Sequence, residues 1–539
     1  AFALAGKKDA YPEQLGALDP WKPSRLFFNT SWWFYGSQEN FQKADKSNLV
    51  PLDIGVYYPE RGLSNNEIAA TASSQHRCQG FGRLNVRGSN MEYIELLEGT
   101  MPKTEDVFEG IDTSWSRIPG GEAVGEILEP LEASFNFANP SEHLPELIRA
   151  YQLLQQTENG HWKEIKSKEL LDLITGVSGL YLEASSEVQY ANPGDRAKVR
   201  IEAVNRSNGP IALKGFRLDA GTQVDSLIQL PFNKRILLEA SVNVPADQQT
   251  TAPYWLDRPG TLGMYSVADP GLIGKPETPP AFYLHTTLTV SGSEIPLSIP
   301  VIHRYSEPDK GELYRAFDIV PKVTASFEEQ VKMFTTSHSR QVQLTVKSQA
   351  EKVSGSVRLQ VPEGWMAEPA SFPLEISGKG NEQTFEFTIL PPTEASQGYL
   401  KPEILIDGNS YDKELIPITY EHIPTQTVLL PAQIKVVRLD VKKSGQLIGY
   451  VMGAGDEIPS NLEAIGYSVR LLEVQDLTEN TLKDLDALVL GIRAYNVLDE
   501  LPFKSDILLE YVQKGGTMVV QYNTSGRGPR DFSNLAPYP

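Results

Sequence analysis

The sequence predicts a multidomain chain that is α/β at both ends and all-β between. Three observations carry this. From residue 178 to 427, apolar and polar residues alternate with period two, in runs separated by Pro-, Gly- and Asn-rich turns. That is the pattern of half-buried antiparallel strands. From 434 onward, apolar strands alternate strictly with helical segments, as in a parallel sheet covered on both faces. In residues 1–100, short apolar strands accompany a helix that opens with a capping box.

The 539 residues suffice for three to five domains, taking about 100–200 residues per domain. A hydrophobic content of 40% and a charged content of 22% are ordinary for folded protein. No apolar run approaches the roughly 18–20 residues of a membrane helix. The net charge of −20 is spread along the chain and repels phosphate backbones, which argues against a nucleic-acid partner. A single cysteine excludes an internal disulfide. That suits a cytoplasm and equally a bacterial periplasm or surface.

Residues 1–15, "AFALAGKKDAYPEQL", lack a signal-peptide pattern and read as the tail of an amphipathic helix. With no initiator Met and a plain "NLAPYP" at the other end, both ends are expected to be truncations. "RLFFNT" (25–30) and "DIGVYYP" (53–59) are predicted strands. Ser64 and Glu67 cap a helix over 64–81 that Gly80 and Gly82 end. Residues 101–177 form a helical connecting segment, with helices at 141–157 and 162–177; Leu147, Tyr151 and Leu154 supply the apolar stripe of the first. Strands such as "KVRIEAVN" (198–205), "RILLEASVNV" (235–244) and "AFYLHTTLTV" (281–290) make a β-sandwich over 178–305. After a break near "SEPDKGEL" (306–313), strands including "RQVQLTVKS" (340–348) and "QTFEFTIL" (383–390) make a second over 306–427. The last domain, 434–539, is α/β.

Few residues suggest chemistry. His76 and Cys78 are two apart on the predicted helix, so their side chains point about 200° apart and cannot form a nucleophile–base dyad. Cys78 reads as a small buried residue at a helix end. His76 and Gln79 share a face, and either point together into a cleft or simply pack. The turn "NTSWWFYGS" (29–37) places Asn29, Trp32, Trp33, Phe34 and Tyr35 after a strand; such aromatics stack on sugar rings or form a lid packed on neighbouring helices. No HExxH, HxxH, CxxC or DxDxDG motif occurs, and the seven histidines are scattered, so no metal site is expected among these residues. "GAGDEIP" (453–459) sits where a phosphate loop would, yet lacks the third glycine and the Lys-Ser/Thr, and reads as a structural turn. "GIRAYN" (491–496) has neither Cys nor Ser for a nucleophile elbow. Asp456, Glu457, Arg493 and Asn496 fall at carboxyl ends of strands, where such sheets bind ligands.

The stretches "YPEQL", "PWKPSRLFFNTSWWFYG", "DIGVYYPERGLSNNEIAA" and "QHRCQGFGR" resemble the C-terminal half of the LmbE-like/PIG-L zinc-dependent de-N-acetylase domain, in its long multidomain bacterial form. "GIDTSWSRIPGG" (110–121), the "VPEGW" sandwich and "GGTMVVQYNTS" are similar to the same long form. The family's His-x-x-Gln pattern matches His76 and Gln79. Its His-Pro-Asp-Asp and His-x-x-His metal motifs are absent from these residues. The resemblance therefore implies residues 1–100 as the later part of a Rossmann-like deacetylase domain, with Zn2+ held upstream of this fragment. It implies His76 and Gln79 in the pocket wall, with Asn29, Trp32, Trp33 and Tyr35 shaping the rim and stacking on an amino sugar or glycan. The sandwich at 361–392 looks like the immunoglobulin-like modules of exported carbohydrate enzymes. The last domain looks like a truncated flavodoxin-like, glutamine-amidotransferase-like fold without its nucleophile. The function expected is a zinc hydrolase removing N-acetyl groups from amino sugars or glycoconjugates, exported to the periplasm or cell surface. The alternative is a non-catalytic carbohydrate- or protein-binding scaffold, with a protein partner met through the sandwiches or the last domain. A β-sandwich glycosidase has only the abundance of carboxylates behind it.

Overall fold

The computed structural model describes residues 1–524 apart from 13, 14, 16–19, 105 and 291. The closing "NLAPYP" lies outside the described residues, as does part of the opening segment. The chain is multidomain and strand-rich, with several sheets. It divides into two compact units, Ala1–Leu180 with Ala268–Gly274, and Tyr181–Val267 with Lys275–Pro539.

The first unit holds a three-stranded sheet in which Met91–Glu98 runs antiparallel between Leu26–Thr30 and Leu49–Asp53. The two outer strands are parallel to each other but separated by the third, a split β-α-β arrangement. The helix Gln38–Lys43 lies in the connection between them. No described pair in this sheet is parallel, so the adjacent parallel strands expected of a Rossmann-like domain are not found here. The second strand also starts earlier than "DIGVYYP" predicts. The Asp53 carboxylate accepts from the N–H groups of Gly55 and Asn90, each at 2.8 Å, and turns the chain. After Asp53, only Tyr57–Tyr58 of that stretch is in a strand, paired with Leu63–Ser64.

The helix Asn65–Ser74 has the predicted box: Ser64 N–H donates to Glu67 Oε2 at 3.0 Å, and Glu67 N–H to Ser64 Oγ at 3.4 Å. It stops seven residues short of the predicted end. Thr71 and Ser74 donate their hydroxyls to the carbonyls of Glu67 and Ala70, a bonding mode that bends and weakens helices. A 3-10 turn, Arg77–Gln79, follows and closes on left-handed Gly80. The opening residues form successive turns rather than a helix tail, with N–H bonds from Leu4 to Ala1, Lys7 to Leu4 and Ala10 to Lys7. Helices Leu144–Gln156 and His161–Val177 agree with the predicted ones, with Leu147 and Leu154 buried. A third helix, Glu122–Ser134, was not legible because Gly125 and Pro130 interrupt its pattern. Gly125 lets the Trp115 ring pack close: a Cβ would approach that ring to 3.0 Å.

The second unit begins with an eight-stranded sheet whose end strands are Gln223–Leu230 and Arg235–Asn243; Gly221, just before the first of these, bridges to Val242 of the other. Residues from both ends of the path, including Ile201, Phe216, Leu284 and Phe317, share one core. The predicted break at 306–313 is instead a hairpin: Ser293–Glu307 turns at Pro308–Lys310 and Gly311–Ala316 returns along it. A true sandwich follows from Val323. Its four-stranded and six-stranded sheets close on Trp365, Phe334, Phe385 and Phe387. Ile434–Arg438, assigned by sequence to the last domain, completes this sandwich by pairing with Ser396–Leu400 and Val331–Phe334. The last sheet is wholly parallel, in the order Ser468–Leu471, Leu447–Val451, Ala487–Leu490, Thr517–Val520. Its winding reverses between the second and third of these, which places a crevice at their carboxyl ends.

Candidate functional site

The strand Leu26–Thr30 positions Asn29 opposite Ile94, with its side chain exposed. Ser31 then starts a 3-10 turn, Trp32–Tyr35, which Gly36 closes at φ 81 by donating its N–H to Trp33 O. The four aromatics part company. Trp33 and Phe34 are 69% and 65% exposed, Trp32 is exposed too, and Phe34 meets Phe28 edge to face at 5.0 Å. Tyr35 turns inward onto Phe41, which in turn packs on Tyr93, both contacts at 5.0 Å. Tyr35 is half-buried, and its ring anchors the turn that presents the tryptophans.

His76 and Gln79 do meet, with His76 Nδ1 and Gln79 Oε1 at 2.9 Å. They do so across the 3-10 turn, where a spacing of three eclipses side chains. Both are exposed, and Phe81 lies 6.0 Å from the imidazole. A Gln79 oxygen accepting from Nδ1–H leaves Nε2 as an acceptor. Cys78, expected to be buried, is exposed, because the helix ends before it. No hydrogen bond or ring contact among the described residues joins His76 and Gln79 to Asn29, Trp32 or Trp33.

These residues do not fit a zinc ion. A catalytic zinc takes three protein ligands, and no group of three His, Cys, Asp or Glu among the described residues could hold a metal. What the first hundred residues do present is apolar surface. Trp21 is 73% exposed and Leu84 93%, and Phe28, Phe81 and Leu97 are exposed as well.

The carboxyl edge of the parallel sheet holds a second group. Tyr450 donates its hydroxyl to Asp456, 2.6 and 2.7 Å from the two carboxylate oxygens, and accepts from Gln521 Nε2 at 2.8 Å. Asp456 also accepts from the N–H groups of Ile458 and Ile492. Burial pushes Asp456 up, but the Tyr450 and backbone hydrogen bonds outweigh it and hold the carboxyl below the usual aspartate range. Burial and the neighbouring carboxylate push the Tyr450 phenol up. "GAGDEIP" is thus a structural turn whose own acid plugs the crevice. Gly453 is required where a Cβ would strike Ile492 O at 2.1 Å. Asn496 exchanges hydrogen bonds with the Thr524 backbone, and Glu457 accepts from Ser460 beside it. Arg493 sits between a strand and the short helix Ala494–Val497 with φ 56 and ψ 27. That is an ordinary left-handed backbone at a strand-to-helix turn, a conformation that non-glycine residues rarely adopt. No sequence signal marks a left-handed arginine, so this geometry was not legible beforehand.

No family model matches the chain, and no curated protein matches it. Among solved structures, similarity is found to an alpha-2-macroglobulin variant from Salmonella at 9% identity, over 48% of this chain and 16% of that one, with a TM-score of 0.17. Red sea bream transglutaminase is similar at 10% identity, over 53% of this chain and 34% of the enzyme, with a TM-score of 0.23. A cohesin from Archaeoglobus fulgidus is similar at 14% identity, over 22% of this chain and 91% of the cohesin, with a TM-score of 0.14. The chain thus spans well under half of the first two proteins, and likenesses this weak carry no argument about function. No helix among the described residues is long and apolar enough to cross a membrane.

Proposed function

We propose that this chain serves an exported hydrolase that removes N-acetyl groups from amino sugars or glycoconjugates. Residues 1–100 form one wall of its cleft, and the zinc is held by residues outside this sequence. The observation that carries the reading is the exposed His76–Gln79 pair set in a segment whose tryptophans and other large apolar residues face solvent. A wall awaiting its opposite half has this character: an apolar face for the missing half and a polar pair for the substrate. In this role His76 Nε2 accepts from a sugar hydroxyl, and Trp32 and Trp33 cover pyranose faces. No step of the chemistry falls to a residue of this chain. The two β-rich regions act as immunoglobulin-like modules, and the parallel sheet as a flavodoxin-like, glutamine-amidotransferase-like domain without its nucleophile.

The second reading is a non-catalytic carbohydrate- or protein-binding scaffold, with its partner met through the β-rich regions or the last domain. Zinc content and acetate release from N-acetylglucosamine oligosaccharides, measured on the native protein that carries this chain, decide between them. The hydrolase reading expects about one zinc per chain and released acetate, with release cut severalfold by His76→Ala. A native protein with no zinc and no acetate release leaves the scaffold.

A further inference from the structure

The strand Ser293–Glu307 carries two partners in succession. Tyr283–Val290 pairs with its first half, ending at Tyr283 opposite Pro300; Gly311–Ala316 pairs with its second, from Ala316 opposite Ile302. Where one partner leaves and the other arrives, the sheet splays and a cleft of about 720 Å³ opens, bounded on its far side by Pro424–Thr427. Sites for small organic ligands span about 300–1,000 Å³.

The cleft is held open by a buried clasp. The Asp318 carboxylate accepts from Thr251 Oγ1 at 3.0 Å and from Thr427 Oγ1 at 2.7 Å. Thr251 is bonded back to the Ile319 backbone through both its N–H and its hydroxyl. Three segments far apart in sequence are therefore fixed before any ligand arrives, which lowers the cost of binding. The lining is distinctive. Pro276, Pro279, Pro280, Pro300 and Pro424 give flat apolar faces without N–H groups, and Tyr283 and Tyr314 add ring surface. Lys275 and Glu277 stand at the cleft, exposed and with no ion pair among the described residues.

We propose that this cleft binds a short neutral oligosaccharide. The inference rests on the carbohydrate reading above and assigns it a second subsite, remote in sequence from His76. A sugar presents C–H faces that tyrosine and proline cover, and a rim of hydroxyls that are both donors and acceptors. Lys275 supplies donors and Glu277 an acceptor to that rim. Opposite charges at the cleft and a chain of net charge −20 disfavour a polyanion. Along the cleft walls, Pro276, Pro279, Pro280, Pro300 and Pro424 offer an extended peptide no N–H donors.

The test is calorimetric titration of the full 539-residue chain with N-acetylglucosamine trimer, with EDTA present so that no metal contributes. Saturable binding is expected, weakened about tenfold by Tyr314→Ala, whose ring is half exposed and whose loss leaves the core intact. Glu277→Gln, a change of one exposed charge, is expected to weaken it about threefold. Absence of binding overturns the proposal, as does binding unchanged in both variants or tighter binding of a proline-rich peptide. Binding without acetate release from the native protein sinks only the hydrolase reading. Release without binding here sinks only this subsite.

Discussion

The first sheet and the sandwich that starts at Val323 are built from similar strands and end in opposite states. In the sandwich, each sheet buries its apolar face on the other, and Trp365 is 3% exposed among phenylalanines that pack edge to face. Among the described residues of 1–100, only Phe41, Leu49, Val50 and Ala70 are buried apolar residues, while Trp33, Phe34 and Leu84 stand in solvent. A sheet is stable when a second layer covers its apolar face. The sandwich supplies its own cover. The first sheet does so only in part, which is the feature the proposed cleft wall rests on.

The sharpest contrast is a pair of tryptophans. Trp365→Ala empties a packed core and is expected to cost about 3–5 kcal/mol, read as lost hydrogen-exchange protection in the strands around it. The indole also gives up its hydrogen bond to Ser396 Oγ. A cost below about 1 kcal/mol would mean that this core is looser than its packing implies. Two aspartates sharpen the comparison within the second unit. Asp456→Asn turns an amide N–H toward backbone N–H groups at the crevice, with an expected cost of about 1–3 kcal/mol at pH 7. The native Asp456 carboxyl is held low, so its contribution is present above the ordinary aspartate value of 3.8 and is lost as pH falls through the lower native value.

Asp318 has the opposite sign. Burial raises it, only partly offset by the Thr427 and Thr251 hydroxyls. The folded state therefore binds that proton more tightly than the unfolded one. Stability from this group is fully present below 3.8 and declines as pH rises through the raised value. Asp318→Asn is expected to flatten that decline, seen as a smaller fall in melting temperature between acid and neutral pH; an unchanged slope would show that Asp318 is not its source.

Ser64→Ala removes one arm of the capping box and is expected to cost about 1 kcal/mol, visible as faster exchange in Asn65–Ser74. At the small end, Trp33→Ala is expected to change the stability of this chain by less than about 0.5 kcal/mol. A large loss would show that the indole is packed rather than presented.

Much of this architecture was legible in the residues themselves. Period-two runs found the sandwich strands, strict alternation found the parallel sheet, and Ser64 with Glu67 found a helix start. Each is a local rule that tertiary context did not override. The misses share a different cause. "DIGVYYP" is apolar enough for a strand, but Asp53 turns the chain through hydrogen bonds to Gly55 and Asn90, one of them 37 residues away. "EPDKG" looks like a linker and is a hairpin turn, since composition cannot tell a tight turn from a boundary. Ile434–Arg438 belongs to a sheet whose other strands lie far upstream, a pairing no window reveals. Tyr35 and Trp33 are neighbours in one aromatic run, and which of them turns inward depends on the packing of Tyr35 on Phe41. At the candidate site, the His76–Gln79 meeting was legible from spacing, while its setting in a short 3-10 turn beside an exposed Cys78 depended on where the helix gave out.

Hydroxyl-radical footprinting of Trp32, Trp33, Phe34 and Leu84 tests the account most directly, run on this chain alone and on the native protein purified from its source. If residues 1–100 form a cleft wall, all four label strongly in the chain alone and are protected severalfold in the native protein. Equal labelling in both would mean that nothing covers this face and that it is no wall of a cleft.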